Sequence, residues 1–145
     1  MADDFSLRVV SLAGLIGATE EPSVQQLTLY IPHKNKEGKT VENIYKWIRE
    51  AQRLLSIIGG GTTTMPPADG TWLKRAVDNM EELKDEDVVW EKTTVMYAYI
   101  YPDRFEKNLK SLREFLHGFG RETNQGEVVF EFAGEFFRIR KYDSE

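Results

Sequence analysis

The sequence predicts an α+β domain in which an antiparallel sheet carries two helices on one face. Three observations lead there. The segments QQLTLYIPH and EKTTVMYAYIYPD alternate with the period of a strand. Two other segments repeat apolar residues at helical spacing. The elements follow one another as strand, helix, strand, strand, helix, strand, with one further strand at the end.

In the first strand Leu27, Leu29 and Ile31 share one face, and Thr28 and Tyr30 share the other. A polar loop, KNKEGK, follows, with Thr40 placed to cap a helix. From Val41 onward, Ile44, Ile48, Ala51, Leu55 and Ile58 form an apolar stripe that Trp47 and Leu54 widen. Gly59 stands where a left-handed helix end is wanted. Gly60 and Gly61 turn the chain, and TTTM is prone to a strand. One glycine would end the helix. The surplus points to close approach by another strand, chain or ligand.

PPADG reads as a turn, because Pro-Pro and Asp-Gly both interrupt regular structure. The region from Thr71 to Glu91 fits either an exposed short helix or a long hairpin arm. In the next strand Thr94, Met96, Ala98 and Ile100 face one way, and Val95, Tyr97, Tyr99 and Tyr101 face the other. The second helix buries Phe105, Leu109, Leu112, Leu116 and Phe119, and Gly118 and Gly120 end it. In the final hairpin, an Ala133-Gly134 turn sets Phe130 opposite Phe137 and Glu127 opposite Arg140. This order is the split βαβ, or ferredoxin-like, arrangement, extended by a C-terminal hairpin strand. Residues 1–25 read as an N-terminal arm, a docking segment or short helix, and 26–145 as one domain.

The totals narrow the function. The chain has 145 residues, enough for one domain with a core of its own. A net charge of −5 opposes binding to nucleic acid or anionic membrane. Without cysteine there is no disulfide and no thiolate chemistry. With only His33 and His117, a multi-histidine metal site is excluded within one copy. The run VVSLAGLIGA is too short to span a bilayer, and its acidic flank is unlike a secretory signal. The expected location is therefore the cytoplasm.

In this topology the outward residues of the central strands are Thr28, Tyr30, Val95, Tyr97, Tyr99 and Tyr101. So many aromatic rings on an uncovered sheet face call for a partner. A second copy of the chain is the first expectation, and the N-terminal arm is another. Stacked single-stranded nucleic acid is a third, but TTVMYAYIY lacks the basic residues that such a surface uses.

Candidate chemistry is sparse. PHKNKEGKT lies between strand and helix like a phosphate-binding loop, but His33 stands where that motif needs glycine. His33 beside Lys34, Lys36 and Lys39 is a conceivable general base, and an exposed loop histidine is the simpler reading. The acidic run from Glu81 to Asp87 has no calcium-loop spacing, so no metal or cofactor is expected.

LTLYIPHKNKEGK, GGGTTTMPPADGTW and GRETNQGEVVFEF together resemble a small family of bacterial ferredoxin-like domains. In that family a strand–helix unit precedes a Gly-Gly-x-Thr…Pro…Gly-x-Trp segment. No established activity comes with the resemblance. It implies a shared feature at Gly60, Gly61, Thr63, Pro67, Gly70 and Trp72, either a binding loop or a signature of the fold.

The expectation is a binding or assembly module, homodimeric through its sheet face and without a cofactor. A small ligand would sit near His33, Gly60, Gly61, Thr63, Asp69 and Trp72, and Tyr30, Tyr97, Tyr99 and Tyr101 would form the interface. The alternatives are a small-molecule enzyme of the dimeric α+β barrel type and a single-stranded nucleic-acid binder.

Overall fold

The computed structural model of the chain describes residues 12–144. Part of the expected N-terminal arm, residues 1–11, lies outside the described residues. Residues 12–16 are helical, and an exposed segment leads from them to the first strand.

The elements are β1 (Gln26–Pro32), α1 (Ile44–Gly59), β2 (Thr63–Thr64), β3 (Ala68–Leu73), β4 (Val88–Tyr99), α2 (Pro102–Lys107), α3 (Leu109–Glu122), β5 (Val128–Phe132) and β6 (Glu135–Ile139). The strands form one sheet in the order β2–β4–β1–β5–β6. β3 also pairs with β4, and every pairing is antiparallel. This is the split βαβ arrangement, with β6 added as an outer strand. No described helix is long and apolar enough to cross a membrane.

The pleat decides which residues enter the core. Leu27, Leu29, Ile31, Met96, Ala98 and Ile100 are all buried beneath the helices. α1 contributes Ile44, Ile48, Ala51, Leu54, Leu55 and Ile58 to the same layer. Trp47 packs edge-on to Phe119 at 5.4 Å and joins α1 to α3. Burying one leucine such as Leu27 or Leu29 contributes roughly 1.5–3 kcal/mol.

Several boundaries differ from expectation, each for a local reason. α1 starts at Ile44, not at Val41, behind Asn43 in the left-handed region (φ 57°). Thr40 does not cap it. Thr40 bridges to Lys34, and the Val41 N–H donates to the His33 carbonyl. PPADG is only partly a turn, because Ala68, Asp69 and Gly70 begin β3 and pair with Thr93, Lys92 and Glu91. β4 begins at Val88, so the region from Thr71 to Glu91 is a hairpin arm closed by the 3-10 turn Asp85–Asp87. Its anchor is buried Asp87, which accepts from Arg75 Nε at 2.8 Å and from the Lys84 N–H.

The second helix breaks at Asn108, whose side chain donates to the Arg104 carbonyl at 2.7 Å. Leu109 is consequently exposed and does not join the core stripe. Gly118 and Gly120 do not end α3, which continues to Glu122. A Cβ at Gly120 would overlap the Tyr142 ring, so this glycine makes room for the C-terminal segment.

Candidate functional site: a cleft on the open sheet face

The face of the sheet away from the helices is assembled by register. Tyr30 pairs with Val95, and Thr28 pairs with Tyr97 on one side and Glu131 on the other. Gly70 pairs with Glu91, Trp72 with Val89 and Phe136 with Glu131. All these positions therefore face the open side.

This face is not a continuous row of tyrosines. At the Pro32 end of β1 it hollows into a cleft of about 470 Å³. Tyr30, Trp72, Glu91, Phe136, Arg138 and Arg140 are among the residues that line it. The loop at Asn35 and Lys36 and the loop at Gln125–Glu127 form its rim. The Lys36 N–H donates to the Asn124 carbonyl, and Gln125 Nε2 donates to the Lys34 carbonyl, so the two loops are tied together. Tyr142 OH donates to the Gln125 carbonyl at 2.8 Å and fixes the rim from behind.

Within the cleft, Trp72 Nε1 donates to Glu91 Oε2 at 2.8 Å. Burial raises the Glu91 carboxyl above the usual range, against the opposing pull of the Trp72 N–H and the Lys34 charge. Tyr30 OH donates to Glu131 Oε1 and stands edge-on to Phe136 at 6.1 Å. Burial pushes the Tyr30 phenol up to about 12, and the hydrogen bond and charge of Glu131 add to the effect. Tyr30 is thus a neutral donor over any ordinary pH. Arg138 lies over the Phe136 ring at 4.7 Å. The cleft offers aromatic walls, the half-buried Glu91 carboxyl with its raised pKa, a second carboxylate at Glu127, and the arginines Arg138 and Arg140. Among the described residues no cluster of three metal-ligating side chains occurs.

Of the expected ligand residues, only Trp72 lines this cleft. His33 points to the helix-covered side, where Nε2 meets Thr94 Oγ1 at 2.7 Å, and burial lowers its pKa. Asp69 pairs with Lys92 on the side opposite Trp72. Gly60, Gly61 and Thr63 lie at the other end of β4, where Thr63 pairs with Tyr97. Ten residues of β4 separate the partners of Trp72 and the Gly59 turn, or roughly 33 Å. The glycine turn and the tryptophan do not converge.

Of the expected interface residues, Tyr30 belongs to the cleft. Tyr101 leaves the sheet to pack on Gly60, with the Arg104 guanidinium over its ring at 4.8 Å. Tyr97 and Tyr99 remain as an edge-to-face pair at 6.4 Å. The residues that sequence reasoning missed are Glu91, Glu127, Arg138 and Arg140. Extending the alternation of β4 backward would have set Glu91 on the tyrosine side.

No protein-family model matches the sequence, and no curated protein matches it significantly. Among solved structures, the chain is similar to a phage SAM lyase in complex with S-methyl-5′-thioadenosine. The TM-score is 0.54 at 13% identity, over 85% of this chain and 94% of that one. A phage SAM lyase in its apo state gives a TM-score of 0.53 at 9% identity, over 88% of this chain and 100% of the other. The likeness is one of α+β fold.

Proposed function

We propose that this protein binds a sulfonium nucleoside, S-adenosylmethionine (SAM), in the open-face cleft and releases S-methyl-5′-thioadenosine from it. The observation that carries the reading is the Trp72–Glu91 pair inside a cleft of about 470 Å³. That volume falls in the range of small-ligand sites. An aromatic face beside a carboxylate suits a sulfonium cation, and Trp72 also offers a stacking surface to a purine. Both phage enzymes are named for SAM, and one of them holds S-methyl-5′-thioadenosine, the neutral thioether left when SAM loses its aminobutyryl chain.

A lyase reaction asks little of the protein. A base removes a proton from Cβ of the aminobutyryl chain, and that C–H electron pair forms the Cβ=Cγ bond. The Cγ–S pair leaves with sulfur, which becomes a neutral thioether. Glu91 is the base in this proposal, since a carboxylate with a raised pKa is better matched to proton transfer near neutral pH. Calorimetric titration with S-methyl-5′-thioadenosine should show binding to wild type and to Glu91→Gln alike. Chromatography should show its release from SAM by wild type only. An absence of binding to both compounds would end this reading.

A second reading keeps the tyrosine end of the same face. Tyr99 is half exposed beside Tyr97, which favours self-association there as a cytoplasmic homodimer. A mass measurement in solution should then show Tyr99→Ser dissociating. A monomeric wild type removes this part of the proposal and leaves the cleft intact. Single-stranded nucleic acid fits less well, because Glu91 and Glu131 place negative charge on this face. The resemblance of the Gly-Gly-x-Thr…Gly-x-Trp segment to a bacterial family is retained only through Trp72, the part of it that reaches the cleft.

A further inference from the structure

We infer that Glu127, Arg138 and Arg140 form a subsite for the headgroup of an α-amino acid. The argument starts from an oxygen atom. Glu127 Oε2 is buried and has no hydrogen-bond partner among the described residues. Such an acceptor costs stability unless a donor reaches it. Two guanidinium groups stand near it at ion-pair distance, Arg138 Nε at 3.6 Å and Arg140 Nε at 4.0 Å. Both distances exceed a hydrogen bond. The three side chains hold one another by charge while their directional bonds remain unused.

All three line the cleft, and each side chain is 40–69% exposed, so a ligand can reach them. Register explains the cluster. Val129 pairs with Arg138 and Val128 with Ile139, which carries Glu127 to Arg140 at the open end of the β5–β6 hairpin. A phosphate here would meet the Glu127 carboxylate, and a simple cation would meet two arginines. A zwitterion satisfies both signs at once, its ammonium beside the partly exposed Glu127 carboxylate and its carboxylate on the guanidinium donors. Lys36 on the rim adds a third positive charge on the carboxylate side of the balance.

This inference rests on the cleft reading above, and it assigns the amino-acid end of the ligand, leaving Trp72 and Glu91 to the sulfonium and nucleoside. Three probes separate the two. SAM carries both parts, S-methyl-5′-thioadenosine carries the nucleoside alone, and S-methyl-L-methionine carries the amino acid alone. Each is titrated calorimetrically into wild type, Arg138→Gln, Arg140→Gln and Glu127→Gln. Circular dichroism confirms that the variants fold, as expected for exposed side chains.

Each arginine substitution should weaken SAM and S-methyl-L-methionine about tenfold or more, the loss of one charge-assisted contact. Affinity for S-methyl-5′-thioadenosine should stay the same. Arg138→Lys should recover part of the loss, since it restores charge without the fork. Equal weakening of all three probes, or no weakening of the two amino-acid probes, overturns the subsite. Should wild type bind S-methyl-L-methionine in an Arg138-dependent way and neither nucleoside, the nucleoside reading falls and the subsite stands.

Discussion

Three consecutive glycines look alike in sequence and differ in the folded chain. A Cβ at Gly59 would sit 2.7 Å from the Tyr99 carbonyl oxygen and 2.8 Å from Ala98 Cβ. The end of α1 rests on the end of β4 at this point, and only hydrogen fits. Gly60 has φ 79° and caps α1, its N–H donating to the Ser56 carbonyl. A Cβ at Gly61 would meet nothing within 4 Å among the described residues beyond its chain neighbours. Gly59→Ala should therefore cost about 2 kcal/mol in urea unfolding, and Gly60→Ala about 1 kcal/mol. Gly61→Ala should be close to neutral. A loss at Gly61 equal to that at Gly59 would mean that the turn, not the contact, sets the requirement. The sequence placed the left-handed helix end one residue early, since Gly59 is the last residue of α1 and Gly60 takes the left-handed conformation. A close approach by another strand, chain or ligand was expected there, but that β4 makes it was not legible, because the contact joins residues forty positions apart.

Elements were read well where period and partner agree. Phe130 does pair with Phe137, their rings stacked at 5.0 Å, and Glu127 does meet Arg140. Both follow from a two-residue turn at Ala133 and Gly134, with φ of 52° and 84°. Ala133 is held in the left-handed region at a cost of about 1 kcal/mol. Ala133→Asn should raise the unfolding free energy by about 0.5 kcal/mol, read as a higher urea midpoint, without moving the hairpin register. A lowered midpoint would show that something other than backbone strain governs this turn. The second helix was read less well. Its apolar spacing continues through Asn108, but the side chain there donates to the Arg104 carbonyl one turn back, and the helix splits at this point. Gly118 and Gly120 suggested an end that tertiary packing overrides, since Tyr142 occupies the space above Gly120.

The cleft belongs to the whole molecule, and this is why the sequence hid most of it. Its walls come from β1, β3, β4, β5 and β6, and only the register between them brings Trp72, Glu91 and Arg138 to one face. The strand order was legible, whereas the early start of β4 was obscured by the charged run before it. Stability against alkali is also a property of the assembled fold. The Tyr30 and Tyr142 phenols are both pushed up to about 12, chiefly by burial. Unfolded tyrosine ionises near 10. The folded chain holds these protons more tightly, so stability is complete below about pH 10 and falls as pH rises toward 12. Urea midpoints measured across that window should decline, and Tyr30→Phe should decline less steeply. An unchanged slope would show that Tyr30 ionises without cost in the fold.

The most direct test of the central claim is a nitrogen-edited NMR titration with S-methyl-5′-thioadenosine. The account expects the Trp72 indole N–H, the Gln125 side-chain amide and the Gly126 backbone to shift together as ligand is added. Shifts confined to Gly59–Gly61 and Tyr99, with the Trp72 indole unmoved, would contradict it.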